Sequence, residues 1–365
     1  MRGLKALYQA GRHGQIWEPG ESLNYTYVLG SHHWLYPAYV GLWYWLTDAS
    51  QNWVIYSNAA FAAFFPAAAF GLAIMLGATR RIALLAGGLA LLDPSSAVNA
   101  SWLLKDSMVG FLAMAGLWAT LRLVEEGRWT FIPLIVILVG LLGIVRYVAY
   151  LALILAMFTG LLIFLKRRQW KSITGLILAI IGTWVMFGLL YYAPQKVTIS
   201  QNITTPIKAL SDGSATLKAK RESKAADETV LRWKESLHDN PGLALMKSAA
   251  HTLFAPYPWV AIHPALTWKS FSELYYPGVL LWMACLPGIV WALWKGMQSR
   301  SPVFFLIVVF LAVLVMAYTV FLGEWSTRQR VFALPASFAL AAIGWNDIIH
   351  TTRLRGRVLD LNKTS

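Results

Sequence analysis

The sequence predicts an all-α fold: a polytopic helical membrane protein with about nine transmembrane helices and a long extracytoplasmic loop. Three observations lead there. Of the 365 residues, 58% are hydrophobic and 13% are charged, a balance that no soluble domain could keep in water. Apolar runs of ~20 residues, the length that crosses a bilayer as a helix, recur along the chain. The Lys and Arg of the short connections gather on one side of these runs, as the positive-inside rule requires.

Residues 1–52 contain no spanning run. The opening MRGLKALYQAGRHGQ has a basic flank without an apolar core, so it reads as neither a signal peptide nor a span. From His33 to Thr47 the chain is apolar and aromatic but short, which predicts an interfacial helix. Six spans follow in 53–193, near 53–77, 82–98, 101–124, 130–146, 147–166 and 172–193. The fourth and fifth share one turn at Arg146-Tyr147 with no loop between them. Three more, near 276–297, 302–322 and 331–349, follow the loop 194–275, and a basic tail occupies 350–365. The 18 Trp and 15 Tyr suit a protein with two membrane interfaces. The single Cys285 excludes an intrachain disulfide.

Placing Arg80, Arg81, Arg122, Arg128, Lys166 to Arg168, Lys171, Lys295, Arg300 and the basic tail in the cytoplasm satisfies every short connection. Residues 1–52 and 194–275 are then extracytoplasmic, and the C-terminus is cytoplasmic, in a multi-pass inner or plasma membrane protein. The net charge of +14 thus follows from topology, and no nucleic-acid partner is implied. The cytoplasmic connections are short and carry no Gly-rich phosphate loop, which argues against an ATP-driven pump or a cytosolic nucleotide-sugar enzyme. In the long loop, 212–239 is charged and helix-prone. From Gly242 to Phe254, Met246, Ala249, Ala250, Leu253 and Phe254 recur at helical spacing before Pro256-Tyr257-Pro258-Trp259, so this helix is expected to lie flat on the outer leaflet.

An ionisable residue in the middle of a span costs ~3 kcal/mol by insertion scales, so each is a functional candidate. Asp93, Lys105, Asp106 and Arg146 share the extracytoplasmic half, and Glu324, Arg328 and Arg330 lie in the last outer loop. Asp93, ahead of Pro94, reads either as a helix cap or as a substrate ligand. Asp106 reads either as a counter-ion for Arg146 or as a catalytic carboxylate. Arg146, with Tyr147 beside it, reads as a snorkelling residue or as a phosphate clamp, because a guanidinium fork matches phosphate oxygens. Arg328 and Arg330 suit a phosphate or mark an interface. His32 and His33 open the interfacial helix on the same side. With His13, Glu18 and Glu21 they offer metal ligands at a spacing that matches no strong zinc pattern. No cofactor is therefore expected, and a divalent metal stays open.

Several segments resemble the GT-C superfamily of polyprenyl-phosphate-sugar-dependent membrane glycosyltransferases. SHHWLYPAYVGLWYWLTDASQNWVIYSNAAF is similar to the family's first outer loop. DPSSAVNASWLLKDSMVGFLAMAGLW resembles the stretch with an acidic residue at the outer end of a span. GIVRYVAYLALILAMF resembles the hairpin with a basic residue at its turn, and STRQRVFALPASFALAAIGW the Arg-rich loop before a Pro-containing span. The likeness covers most of the chain except the charged loop, and order and spacing carry it. It implies that Asp106 is an acid of the site, with Lys105, Arg146, Arg328 and Arg330 near the donor phosphate and Tyr147, His33 and Asp93 around the substrate. The family begins with a cytoplasmic N-terminus, a first span and then an outer-loop carboxylate. This sequence has no such span ahead of residue 53, which leaves a divergent member or a chain started at an internal Met. Glu21 stands nearest the place of the missing carboxylate and joins Asp106 as a candidate catalytic residue.

The expected partners are a polyprenyl-phosphate-linked sugar, a glycan, lipid or protein acceptor, and the bilayer itself. In the expected chemistry a carboxylate deprotonates or orients the acceptor hydroxyl while Arg side chains stabilise charge on the departing phosphate. Two alternatives stand beside transfer: a polymerase or ligase of lipid-linked oligosaccharides, and a non-enzymatic flippase, transporter or assembly partner.

Overall fold

The computed structural model describes residues 35–47, 51–101, 105–192, 239–254, 272–299, 301–322 and 330–361. All regular structure among them is helical: α1 Leu35–Leu46, α2 Gln51–Met75, α3 Arg80–Leu92, α4 Pro94–Ala100, α5 Asp106–Glu126, α6 Phe131–Val145, α7 Tyr147–Arg167, α8 Trp170–Tyr192, α9 Pro241–Phe254, α10 Ser272–Ser299, α11 Pro302–Ala317, a π-helix over Tyr318–Leu322, and α12 Leu334–Leu361.

Six helices among the described residues are long and apolar enough to cross a membrane: α2, α5, α7, α8, α10 and α11 with its π extension. The expected span at 82–98 is broken. α3 and α4 meet at 48°, and together they would make a seventh crossing. Pro94 supplies the reason, since it lacks an N–H and its ring disfavours helical backbone at the residue before it. Asp93 accordingly takes φ −73° and ψ 109°. The run expected at 130–146 forms a helix of 15 residues, which rises about 22 Å.

The run expected at 331–349 continues as α12 to Leu361 and falls below the apolar threshold for a span. Burial explains the composition. From Val331 to Ala342 every residue is buried, because α12 packs against α10, α2 and α3 at once. A helix enclosed by protein needs no continuous apolar face toward lipid, and Asn346 and Asp347 follow the enclosed stretch, half-buried.

Tight turns reverse the chain at one end of the bundle. Gly77 (φ 86°) and Gly127 (φ 63°) adopt the left-handed conformation that glycine takes without strain. Gly127 closes α5 by donating its N–H to the Leu123 carbonyl. The α7–α8 turn places Arg168 in that same region at φ 55°, an uncommon position for a residue with a side chain.

Helix association in lipid depends on close backbone approach at small residues. The α10–α12 pair shows it most sharply. A Cβ at Gly344 would overlap the Gly288 carbonyl oxygen, and one at Gly288 would stand 2.6 Å from the Ala341 oxygen. Trp345 donates its indole N–H to the Ala284 carbonyl at 2.8 Å. That carbonyl lies one residue beyond the one left without its donor by Pro287 inside α10, where neighbouring helices commonly supply hydrogen bonds.

The predicted interfacial segment forms α1, a helix of 12 residues. It doubles back on α2, with Trp43 stacked on Trp53 at 6.0 Å and Asn58 Nδ2 donating to the Tyr36 hydroxyl at 3.2 Å. Tyr36 and Val40 are buried, so α1 is a packed part of the bundle.

Candidate functional site

The end of the bundle opposite those glycine turns holds the α3–α4 break, the start of α5, the α6–α7 junction, the start of α10, the π-helix and Arg330. Of the site residues expected from sequence, Asp93, Asp106 and Arg330 are buried at this end, Lys105 and Arg146 are half-buried there, and Tyr147 is exposed.

Asp93 caps α4. Its Oδ2 accepts the Ser96 N–H at 2.9 Å and the Ser96 hydroxyl at 2.8 Å. This is the capping geometry that Asp supplies through its side-chain oxygen. The other oxygen faces α10, where a Cβ at Gly278 would stand 3.3 Å from Asp93 Oδ1 and would overlap the Ser95 hydroxyl. Gly278 thus lets the backbone of α10 close over the cap.

One turn further along α10, the Arg330 guanidinium lies 4.5 Å from the centre of the Trp282 ring, within cation–π range. Asp93 acts electrostatically on Arg330 and on Cys285, so a buried carboxylate, a buried guanidinium and an indole face share one space. Sequence reasoning missed Trp282 and Gly278. Trp282 looked like any aromatic within a span, and its role required knowing where Arg330 returns.

Asp106 is the first residue of α5 and is 1% exposed. The sequence placed it one to two turns inside a span; the structure starts the helix at Asp106 itself. An acid in the first turn satisfies the orphan N–H groups and the positive end of the helix dipole. Lys105 precedes it, half-buried. Two buried polar atoms nearby in sequence, Asn99 Oδ1 and Ser107 Oγ, have no hydrogen-bond partner among the described residues. Unmet polar atoms are rare in native interiors.

Arg146 is the single residue between α6 and α7, as the sequence required, with φ −154° and ψ 90°. Its Nε and Nη2 donate to the Tyr318 hydroxyl at 3.1 and 2.9 Å. The counter-ion reading of Asp106 for Arg146 is therefore not what the fold adopts; Tyr318 accepts the guanidinium. Tyr318 is itself buried and opens the π-helix. A π-turn shifts each hydrogen bond by one residue and commonly marks a functional segment.

The next residue, Thr319, offers its carbonyl to the Ser248 hydroxyl at 2.8 Å. That contact docks α9, the amphipathic helix of the long loop, onto the bundle. The sequence assigned its apolar stripe to Met246, Ala249, Ala250, Leu253 and Phe254. The structure seats Ala244 and Ser248 against the bundle and leaves Met246, on that stripe, exposed. A helix resting on a protein surface uses small residues at the contact and frees its larger apolar ones for lipid.

Phe332 ties the parts together. Its ring centre lies 6.1 Å from that of Tyr318, and its Cα would lie 3.4 Å from a Cβ at Gly110, one helical turn beyond Asp106. Tyr147 is 44% exposed, stacked on Tyr150 at 6.1 Å and tilted against Phe187 at 5.9 Å, on the surface beside Arg146. Glu21, His33 and Arg328, and the cluster of His13, Glu18 and His32, lie outside the described residues.

No protein-family model matches this chain, and no curated protein is significantly similar to it.

Proposed function

We propose that this protein is a membrane transferase of the GT-C kind, which moves a sugar from a polyprenyl-phosphate carrier to an extracytoplasmic acceptor during cell-envelope glycan assembly. One observation carries the reading. Among the described residues the buried charged side chains are Asp93, Asp106 and Arg330, and all three lie at the same end of the bundle. Burying them costs stability, so a charged substrate met at that depth is the natural reason to keep them.

In the proposed mechanism Asp106 orients or deprotonates the acceptor hydroxyl. Arg330, with Arg328 and Lys105, stabilises the negative charge that grows on the departing phosphate. Arg146 shapes the adjacent wall through Tyr318. Asp93 positions the α3–α4 corner against α10. The topology that accompanies this reading counts α3–α4, α6 and α12 as crossings, which gives nine spans with the site extracytoplasmic and the C-terminus cytoplasmic.

The test is mass spectrometry of lipid-linked sugars and surface glycans in a deletion strain complemented with wild type or Asp106→Asn. Accumulation of a carrier-linked sugar that wild type clears and Asp106→Asn does not supports transfer. A diphosphate-linked oligosaccharide as the accumulating species points to a polymerase or ligase. Unchanged carrier and glycan pools defeat the enzymatic reading and leave transport or assembly.

A further inference from the structure

At the end of the bundle far from Arg146 there is a cavity of about 190 Å³ between α2, α10, α11 and α12. Its walls combine apolar side chains, Leu76, Phe304 and Ile343, with two opposite charges, Lys295 and Asp347. Ser301, the N-cap of α11, stands at the same place. About sixteen residues of α11, rising some 24 Å, separate Ser301 from Tyr318. This cavity is therefore distinct from the candidate site.

Lys295 and Asp347 share one small cavity, yet they form no ion pair with each other among the described residues. Lys295 is exposed, and its ammonium lies 6.0 Å from the centre of the Trp291 ring. Asp347 is half-buried on α12. Beside the opening, Trp294 and Met297 are 61% and 55% exposed on α10, as expected where a helix meets the headgroup layer. The cavity thus offers a cation, an anion and an apolar floor.

A ligand that matches this pattern carries both a negative and a positive group on an apolar body. At about 190 Å³ the space suits a compact headgroup. We propose that the cavity binds the headgroup of a phosphatidylethanolamine-type phospholipid, its phosphate on Lys295 and its primary ammonium on Asp347. The ammonium matters because its N–H groups form charge-assisted hydrogen bonds to a carboxylate, which a trimethylated choline cannot. A phosphoglycerol headgroup satisfies Lys295 but leaves Asp347 without a cation. The chain's own residues therefore select among three common headgroups.

The experiment is native mass spectrometry of the purified full-length protein titrated with dioctanoyl phosphatidylethanolamine, phosphatidylcholine and phosphatidylglycerol. Ethanolamine lipid is expected to bind about tenfold more tightly than either competitor, the effect of one charge-assisted hydrogen bond. Asp347→Asn should erase that preference without weakening the glycerol lipid. Lys295→Gln should weaken all three. Equal binding of the three lipids by wild type overturns the proposal, as does tight binding of phosphatidylglycerol, which would mark a plain anion site. The wild-type comparison decides even if a variant fails to fold, and a folded pair of variants that bind ethanolamine lipid normally would also overturn it.

Discussion

The Arg146 guanidinium and the Tyr318 hydroxyl, 172 positions apart in sequence, meet through two hydrogen bonds at the junction of α6 and α7. Arg146 holds the corner where two apolar helices turn without a loop, and Tyr318 begins the π-helix that receives the long-loop helix α9. The contact therefore links a bend in one half of the chain to the docking of a loop in the other.

Removing only the acceptor tests that link. Tyr318→Phe keeps the ring and its packing on Phe332 but leaves two guanidinium N–H groups without their partner. A hydrogen bond to a charged group is worth about 1.5–3 kcal/mol, so the thermal midpoint of the detergent-solubilised protein should fall. An unchanged midpoint would mean that Arg146 finds water or headgroups as readily as Tyr318.

Ser248→Ala removes the hydroxyl that reaches the Thr319 carbonyl. Hydrogen exchange should accelerate across 241–254 by about threefold to tenfold, the effect of a neutral hydrogen bond worth ~1 kcal/mol. Exchange in α12 should stay as slow as in wild type. If 241–254 exchanges no faster, α9 is held by its apolar contacts alone.

At the α10–α12 crossing, Gly344→Leu places a side chain where the Gly288 carbonyl already sits. The two backbones cannot separate locally without opening the interface, so folded protein recovered by size-exclusion chromatography should drop severely. Gly88→Ala is the matching control, because nothing lies within 4 Å of a Cβ there. Equal yields of the two variants would show that the crossing tolerates expansion.

The cap at the α3–α4 corner separates shape from charge. Asp93→Asn keeps a side-chain oxygen for Ser96, whereas Asp93→Ala loses it and should cost about 1 kcal/mol, the usual effect of deleting a cap. Thermal unfolding of the pair should place Asp93→Ala clearly below Asp93→Asn. Equal losses in the two variants would assign Asp93's main contribution to its charge beside Arg330.

Local physics made much of the architecture readable from residues alone. Apolar length located the helices, and the absence of any residue to spare between 145 and 147 placed Arg146 at a turn. Asp93 ahead of Pro94 announced a cap. The same local reasoning ran past the helix break it had marked, treating 82–98 as one span, because mean hydropathy does not register the missing N–H of a proline. It also left open how α9 meets the bundle, since a pattern of apolar residues marks the stripe but not the small residues, Ala244 and Ser248, that touch protein.

The membrane class of the chain, the positions of its helices and the presence of ionisable residues in apolar surroundings are legible from residues alone, because they follow from the solvation of neighbouring residues. Tertiary structure alone decided who meets whom. It gave Arg146 to Tyr318 rather than to Asp106, set Arg330 on Trp282 beside Asp93, and enclosed the less apolar α12 among α2, α3 and α10. Such pairings depend on how helices distant in sequence cross, and crossings are fixed by the close approach of small residues such as Gly288 and Gly344, which no single segment encodes.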